Sequence, residues 1–405
     1  MKILLILYVI FLSSCIGPIK ELERQIEDVY FNSSLDETPN PLPQNIENQI
    51  NIETSWALSD LNLSNEPNLL FKENTIFLVQ KNGNFLKIDS ITGKKIFEKK
   101  LDIEVSLGLF GNKKDEFLFF IDKSNYLNKI DSSGVFLWRI KLKKTVLVHP
   151  AFYKDQILIK YKNNDIESFD INNGNSTWSY NRQNPPLSIN LQSPFIIADD
   201  LIYTGYPGGK VIILDAINGT FLTELSLARG SGVTDIERAN DVSGRITIIG
   251  GSLIAASYNG EIVSFDRRSG KKNWNRKISS YFGTFSDSVN LFLIHQNDSI
   301  YNFDFKTGKT LWKFDDLLNR KLSEIVIIGD NLFVVDYLGI IYSIDINEGI
   351  FSAMKSPDGS VDGLLDFGDT DHVINGINRT KLYKYEDSLF VLFNNSKLFK
   401  LSINE

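Results

Sequence analysis

Short apolar runs recur along the chain, each bounded by polar turn residues and each too short for a helix. NTIFLVQ, KDEFLFFID, DQILIKY, DDLIYTGY, GSLIAASY, VNLFLIHQ and DNLFVVDY make one series. A short Gly, Asn or Asp turn follows each, and then a second run ending in Asp: KIDSITGKKIF, KIDSSGVFLW, SFDINNGNSTW, ILDAINGTFLT, SFDRRSGKKNW, NFDFKTGKTLW and SIDINEGIFSA. Strand, turn and strand in this order predict antiparallel hairpins. Fixed-interval recurrence, at about forty residues, predicts a repeat architecture.

In every copy a turn after the Asp ends in glycine, at Gly93, Gly134, Gly174, Gly219, Gly270, Gly308 and Gly349. Such a turn needs a left-handed residue, which glycine supplies without steric cost. Four residues beyond the glycine stand Trp138, Trp178, Trp274 and Trp312, with Phe97 in the same place in the first copy and Thr223 and Ala353 breaking the pattern. A large side chain at one fixed place in each unit implies packing between neighbouring units rather than a ligand cage.

An antiparallel unit of four strands repeated in this way is a propeller blade, closed radially so that only short edges remain. LFKLSINE at the end of the chain aligns with IYSIDINE at 341–348, with Ser402 where the Asp would stand, and it stops before its glycine and outermost strand. Trp56, in NIETSW, is the tryptophan that would complete that strand. The fold expected is therefore all-β: an eight-bladed β-propeller of four-stranded antiparallel blades, closed by N- and C-terminal strands, which buries the edges that an open array exposes. The count falls to seven if LLDFGDTDHVINGINRTKLYKY, at 364–385, belongs to no blade.

The first residues follow a different rule. Lys2 precedes ILLILYVIF, an apolar run too short to span a membrane but suited to the core of a signal peptide, and LSSC follows. Leu12, Ser13, Ser14 and Cys15 resemble a bacterial lipobox, in which the cysteine thiol carries a diacylglycerol. Residues 1–14 then read as a lipoprotein signal peptide and Cys15 as the lipidated start of the mature chain. Gly17 stands where the sorting rule would want Asp for retention in the inner membrane, so the periplasmic face of the outer membrane is the expected location. Residues 15–49 are polar and end in Pro39, Pro41 and Pro43, as a tether would, and the propeller is placed at 50–405.

A net charge of -7 argues against a nucleic-acid partner held on a broad basic face. Cys15 is the sole cysteine, so no internal disulfide can form. His149, His295 and His372 lie far apart with no second ligand at zinc spacing. Asp366, Asp369, Asp371 and His372 crowd one polar turn, and GYPGGK at 205–210 lacks the spacing of a phosphate loop and reads as a hairpin turn.

Asp–turn–Gly–x–x–x–Trp repeats resemble the pyrroloquinoline-quinone (PQQ) propeller family, whose enzymes are dehydrogenases holding a quinone and a calcium ion over the ring axis. That resemblance makes a PQQ-dependent dehydrogenase-like enzyme the alternative reading. The adjacent-cysteine disulfide of many members is impossible here, and no Asp, Glu and Asn ligand set stands out, so no cofactor or metal is expected.

One stretch departs from the repeat. LARGSGVTDIERANDVSG, at 227–244, carries charges without strand alternation and lengthens the gap between Gly219 and Gly270. TDIERANDV is similar to the T-E-I-D-R-x-x-D-V segment of the BamB family of outer-membrane assembly lipoproteins, and DVSGR resembles its α-proteobacterial branch. The resemblance implies a non-enzymatic scaffold of the β-barrel assembly machinery (the BAM complex). Its implied partners are a POTRA domain of BamA and other BAM subunits, with nascent outer-membrane β-barrel proteins as clients. It makes Asp235, Glu237, Arg238 and Asp241 candidate contacts, together with Leu187, Ile189 and Asn190 in PLSINLQSP at 186–194, which is similar to the family's L-S-L-R-G-E-S-A-P. Asn190 replaces the family's arginine, and Ser243 stands where many relatives carry a second Asp. A solvated loop is the other reading of the charges, but mixed signs beside an apolar loop suit a docking surface with an apolar centre and a polar rim.

Overall fold

The computed structural model describes residues 38–43, 46, 48–112, 117–185, 188, 192–227, 240–356, 373–374, 377–378, 380–393 and 396–404. Among these no helix is long and apolar enough to cross a membrane. Eight four-stranded antiparallel sheets form the blades of a propeller, as the repeat predicts. The first blade runs through Leu70–Lys72, Thr75–Val79, Asn84–Asp89 and Lys95–Lys100. In the eighth, Lys381–Tyr385, Ser388–Phe393 and Lys397–Asn404 are joined by Asn51–Leu58 from the other end of the chain. Trp56 pairs with Lys400 beside a bulge, the register that Trp138, Trp178, Trp274 and Trp312 hold in their own blades. KLYKY, within the stretch that left the count open, is the innermost strand of the eighth blade, so the count is eight.

The strands read as continuous apolar runs because both faces of a blade are covered. Leu118–Asp122 is buried throughout. One apolar cluster fills each gap between blades: Phe77, Phe85 and Phe120 between the first and second, Tyr342, Phe292 and Phe314 between the sixth and seventh. Leu61, Ile76, Phe390 and Leu398 fill the gap where the eighth meets the first. Outermost strands alternate instead, since only their inner face is covered.

Each repeat Asp caps its own turn. Asp304 Oδ1 accepts hydrogen bonds from the amides of Lys306 and Thr307 at 2.9 and 2.8 Å, while Gly308 N donates back to Asp304 O. These turn bonds hold the Asp304 carboxyl below its ordinary value, the amide of Thr307 first among them.

Each tryptophan then seats on the turn glycine of the following blade. Trp274 and Trp312 donate Nε1 to the carbonyls of Phe305 and Ile346 at 2.9 and 2.8 Å, and their rings lie over Gly308 and Gly349. Trp56 does the same to Ser90 and Gly93, which locks the eighth blade to the first. Trp178 covers Gly219 but reaches the next blade through Gln156, donating to its Oε1 while Gln156 Nε2 donates to Ile217 O.

The compact unit starts at Asn40, ahead of the boundary set at residue 50 from sequence. Asn40 is gripped from both sides: its amide donates to Leu318 O, and Arg320 Nη1 donates to its carbonyl at 2.6 Å. Arg320 is 2% exposed and ion-paired to buried Asp336 at 2.6 Å. Prolines at 39, 41 and 43 exclude regular structure, but a non-regular segment can still dock by its carbonyls and by Leu42, which packs between the sixth and seventh blades.

The double demand on the turn glycines can be tested. A Cβ on Gly308 would sit 2.4 Å from the Trp274 ring, with φ at +68°. Gly329 also has positive φ, at +56°, but open space around it. Gly329→Ala should therefore cost only backbone strain, about 1–2 kcal/mol. Gly308→Ala should lose about 1–3 kcal/mol more through overpacking, read as the difference in urea unfolding free energy between the two variants.

Candidate functional site

Antiparallel order fixes which parts of the ring share a face. Each innermost strand starts on the face where the preceding blade's outermost strand ends, so all connections between blades lie there with the turns between second and third strands. The Asp–Gly turns lie on the opposite face. Both unusual segments, 186–194 and 227–244, are connections between blades, and their described residues, Ser188, 192–194, Leu227 and 240–244, therefore belong to the face where the innermost strands start.

On that face the connections are tied down by a repeated bond, in which a turn amide of the next blade donates to the incoming connection. Lys81 donates to Asn62 O, Lys123 to Glu104 O, Lys162 to Thr145 O, Gln296 to Ser279 O and Tyr337 to Arg320 O. In the fifth blade Tyr258 N donates to Asp241 O. Asp241 thus holds a regular structural place at the end of the charged segment.

It is also 1% exposed, unlike the surface contact expected of it. Ser188 Oγ donates to its Oδ2 at 2.6 Å, so the two segments singled out in the sequence meet here. Gly244 N donates to Gln192 O at 3.1 Å and adds a second link between them. Ser243, where relatives carry an acid, is buried too and donates Oγ to Ser280 O at 3.0 Å, so the position serves the connection. Leu187, Ile189, Asn190, Asp235, Glu237 and Arg238 lie outside the described residues, as do Cys15 and the DFGDTDH turn up to His372.

Three features here were not anticipated. Lys160, at the end of DQILIK, is 1% exposed and donates to Gly205 O, Thr204 Oγ1 and Ser193 O at 2.6, 3.0 and 3.3 Å. Burial pulls its ammonium down to about 7, against the pull of the Asp241 charge. Tyr258 and Tyr281 stack at 4.5 Å between ring centroids, next to Asp241. A tyrosine in each of two polar turns, SYNG and SSYFG, is the only sequence signal for that pair.

The third is a charge set around the axis, at the starts of the innermost strands. Arg245 reaches Glu324 with Nη2 at 2.8 Å and Nε at 3.2 Å, spanning the sixth blade. Lys381 Nζ lies 3.9 Å from Glu66 Oε2. Burial pushes the Glu324 carboxyl up, but Arg245 and Lys381 outweigh it and hold it below its ordinary value. Both ring nitrogens of His149 are buried without a hydrogen-bond partner among the described residues, and burial, reinforced by Lys381, pushes its imidazole down to about 3. Among the described residues this set holds two cations, Arg245 and Lys381, and two carboxylates, Glu324 and Glu66. Among the described residues no group of three or more His, Cys, Asp or Glu is placed to hold a metal ion. GYPGGK is the expected hairpin turn, with φ of 75° and 68° at Gly208 and Gly209.

Comparison with known proteins separates the two readings of the repeat. The family model described as outer membrane protein assembly factor BamB matches residues 92–314. The chain belongs to this family. It is 26% identical to the outer membrane protein assembly factor BamB of Yersinia pestis, over 82% of this chain and 88% of the relative. The BamB of Burkholderia pseudomallei is 24% identical over 70% of this chain and 74% of its own length. Among solved structures, BamB from Moraxella catarrhalis superposes with a TM-score of 0.73 over 87% of this chain and 99% of that one, at 17% identity. A quinohemoprotein alcohol dehydrogenase from Pseudomonas putida reaches 0.62 at 10% identity over 89% of this chain and 78% of that one, and shares the fold alone. BamB membership favours the assembly reading over the dehydrogenase reading.

Glu324 supplies a pH test. Its carboxyl is depressed in the folded protein, so its contribution is full above the ordinary value of 4.5 and is lost as pH falls through the lower folded value. Glu324→Gln should be less stable than the parent above pH 4.5. The gap should close on further acidification, as read from thermal midpoints across a pH series.

Proposed function

We propose that this chain is a non-enzymatic scaffold of outer-membrane β-barrel assembly, held to the periplasmic face of the outer membrane by a lipid on Cys15, with residues 15–39 as its tether. Its docking face binds a POTRA domain of BamA within the BAM complex. Asp235, Glu237, Arg238, Leu187, Ile189 and Asn190 are the contacts, Asp241 holds the segments that carry them, and nascent barrel proteins are the clients. The observation that carries this reading is the Ser188–Asp241 hydrogen bond, which joins on one face the two connections that depart from the repeat. Function concentrated on loops held by a rigid scaffold is the usual economy of such folds.

Purified POTRA domains of BamA provide the test. Arg238→Ala, with Glu237→Ala as a second variant, should weaken binding about tenfold or more, the loss expected at an interface hot spot, with an unchanged unfolding midpoint. Undiminished affinity in both variants refutes the interface.

The anchor is tested separately. Two acyl chains, at about 0.8 kcal/mol per buried methylene, hold a soluble domain stably on a bilayer. Labelled palmitate should therefore enter the parent but not Cys15→Ala, and the variant should partition into the soluble fraction. An unlabelled parent removes the anchor.

A further inference from the structure

We propose that Lys160 is the positioning residue of the docking face: its buried ammonium fastens the connection that leaves the third blade to Gly205 of the fourth, the same residue that Val242 of the connection leaving the fourth blade covers. The inference rests on the docking reading above and says how the two segments come to present one surface.

Lysine is almost never fully buried without partners. Lys160 lies on the second strand of the third blade, and its partners belong to other parts of the chain. Gly205 O and Thr204 Oγ1 sit on the second strand of the fourth blade, and Ser193 O lies in the connection between them. Thr204 Oγ1 also donates to Ser193 O at 3.1 Å, so the connection is held twice. An apolar side chain of similar length would fill the space but leave the Gly205 and Ser193 carbonyls without this donor.

Gly205 is where the second connection arrives. A Cβ there would lie 2.6 Å from Val242 O and 2.8 Å from Ser193 Cβ, so residues of both connections close over the space that a side chain at Gly205 would need. Val242 N donates to Tyr206 O at 3.2 Å, and its neighbour Asp241 acts on Lys160 electrostatically. Ser188 also meets Asp241, and Gly244 meets Gln192. Cation and glycine thus set one connection against the other.

The test combines local and global readouts on Lys160→Met, Asp241→Asn and the double variant. Lys160→Met should speed amide exchange at Val242 and Gly244 about tenfold and weaken POTRA binding by a similar factor, equivalent to about 1.4 kcal/mol, while core amides such as Phe333 keep their protection. The double variant should recover part of the lost affinity, because it removes the buried carboxylate charge together with the buried cation. Unchanged exchange at Val242 and Gly244 in Lys160→Met overturns the inference even where the parent binds the POTRA domains. A parent that does not bind them overturns the docking reading, and the exchange data still decide the role of Lys160. If Lys160→Met does not fold, Lys160→Arg and Ser188→Ala take its place. Faster exchange confined to the two connections supports the inference, and parent-like exchange in both overturns it.

Discussion

Ring closure is the constraint on which the rest of this structure depends. A four-stranded blade has two apolar faces and two edges, and none of the eight is stable alone, because its faces would meet water. The circle closes only because Asn51–Leu58 pairs with Lys397–Asn404, so the chain is stapled across its two ends and the last gap is filled by Leu61, Ile76, Phe390 and Leu398. Trp56 then makes on Gly93 the contact that other tryptophans make around the ring. Asn40, clamped by Arg320, fixes the start of the same segment on the face that bears the connections between blades. A closing strand attached at both its ends and its register has little freedom to slip.

Closure also divides the labour between the two faces. The Asp–Gly turns are confined to one side and are nearly identical, each satisfied by its own carboxylate and glycine, so they carry regularity. The connections on the other side are anchored by one repeated amide bond and are otherwise free to vary. Variation there does not disturb the ring, since Asp241 offers the same carbonyl to Tyr258 that Ser279 offers to Gln296. The long charged segment could be inserted because its ends return to standard places.

What could be read in the sequence follows from which interactions are periodic. The strands, the Asp–Gly turns, the tryptophan register and the completion of the last blade by Trp56 all repeat, and repetition makes a long-range contact visible in one chain. Lys160 was not visible, because DQILIKY looks like any other second strand and its partners lie more than thirty residues away. Burial of Asp241 was hidden for the same reason: its acid belongs to a charged run by composition but to the interior by position. The Arg245–Glu324 pair joins blades that are not neighbours, a relation with no counterpart in the repeat. Residue 50 was too late a start for the compact unit because docking of Asn40 through carbonyl and amide groups leaves no hydrophobic pattern.

Burying a lysine and an aspartate where two connections meet costs stability that an apolar pair would not. The ring can bear that cost, since its apolar clusters are distributed around all eight gaps. What the arrangement supplies is a fixed meeting point for the described parts of the two connections, at Ser188, Gln192, Ser193 and Asp241–Gly244. Association is weakened by whatever freedom loops must give up, so connections held in place beforehand bind more tightly for the same contacts. An apolar node could pack the two connections, but it would not specify their direction. Three acceptors around one ammonium and a carboxylate that receives Ser188 do specify it, because each bond fixes one atom, two of them backbone carbonyls, rather than an area.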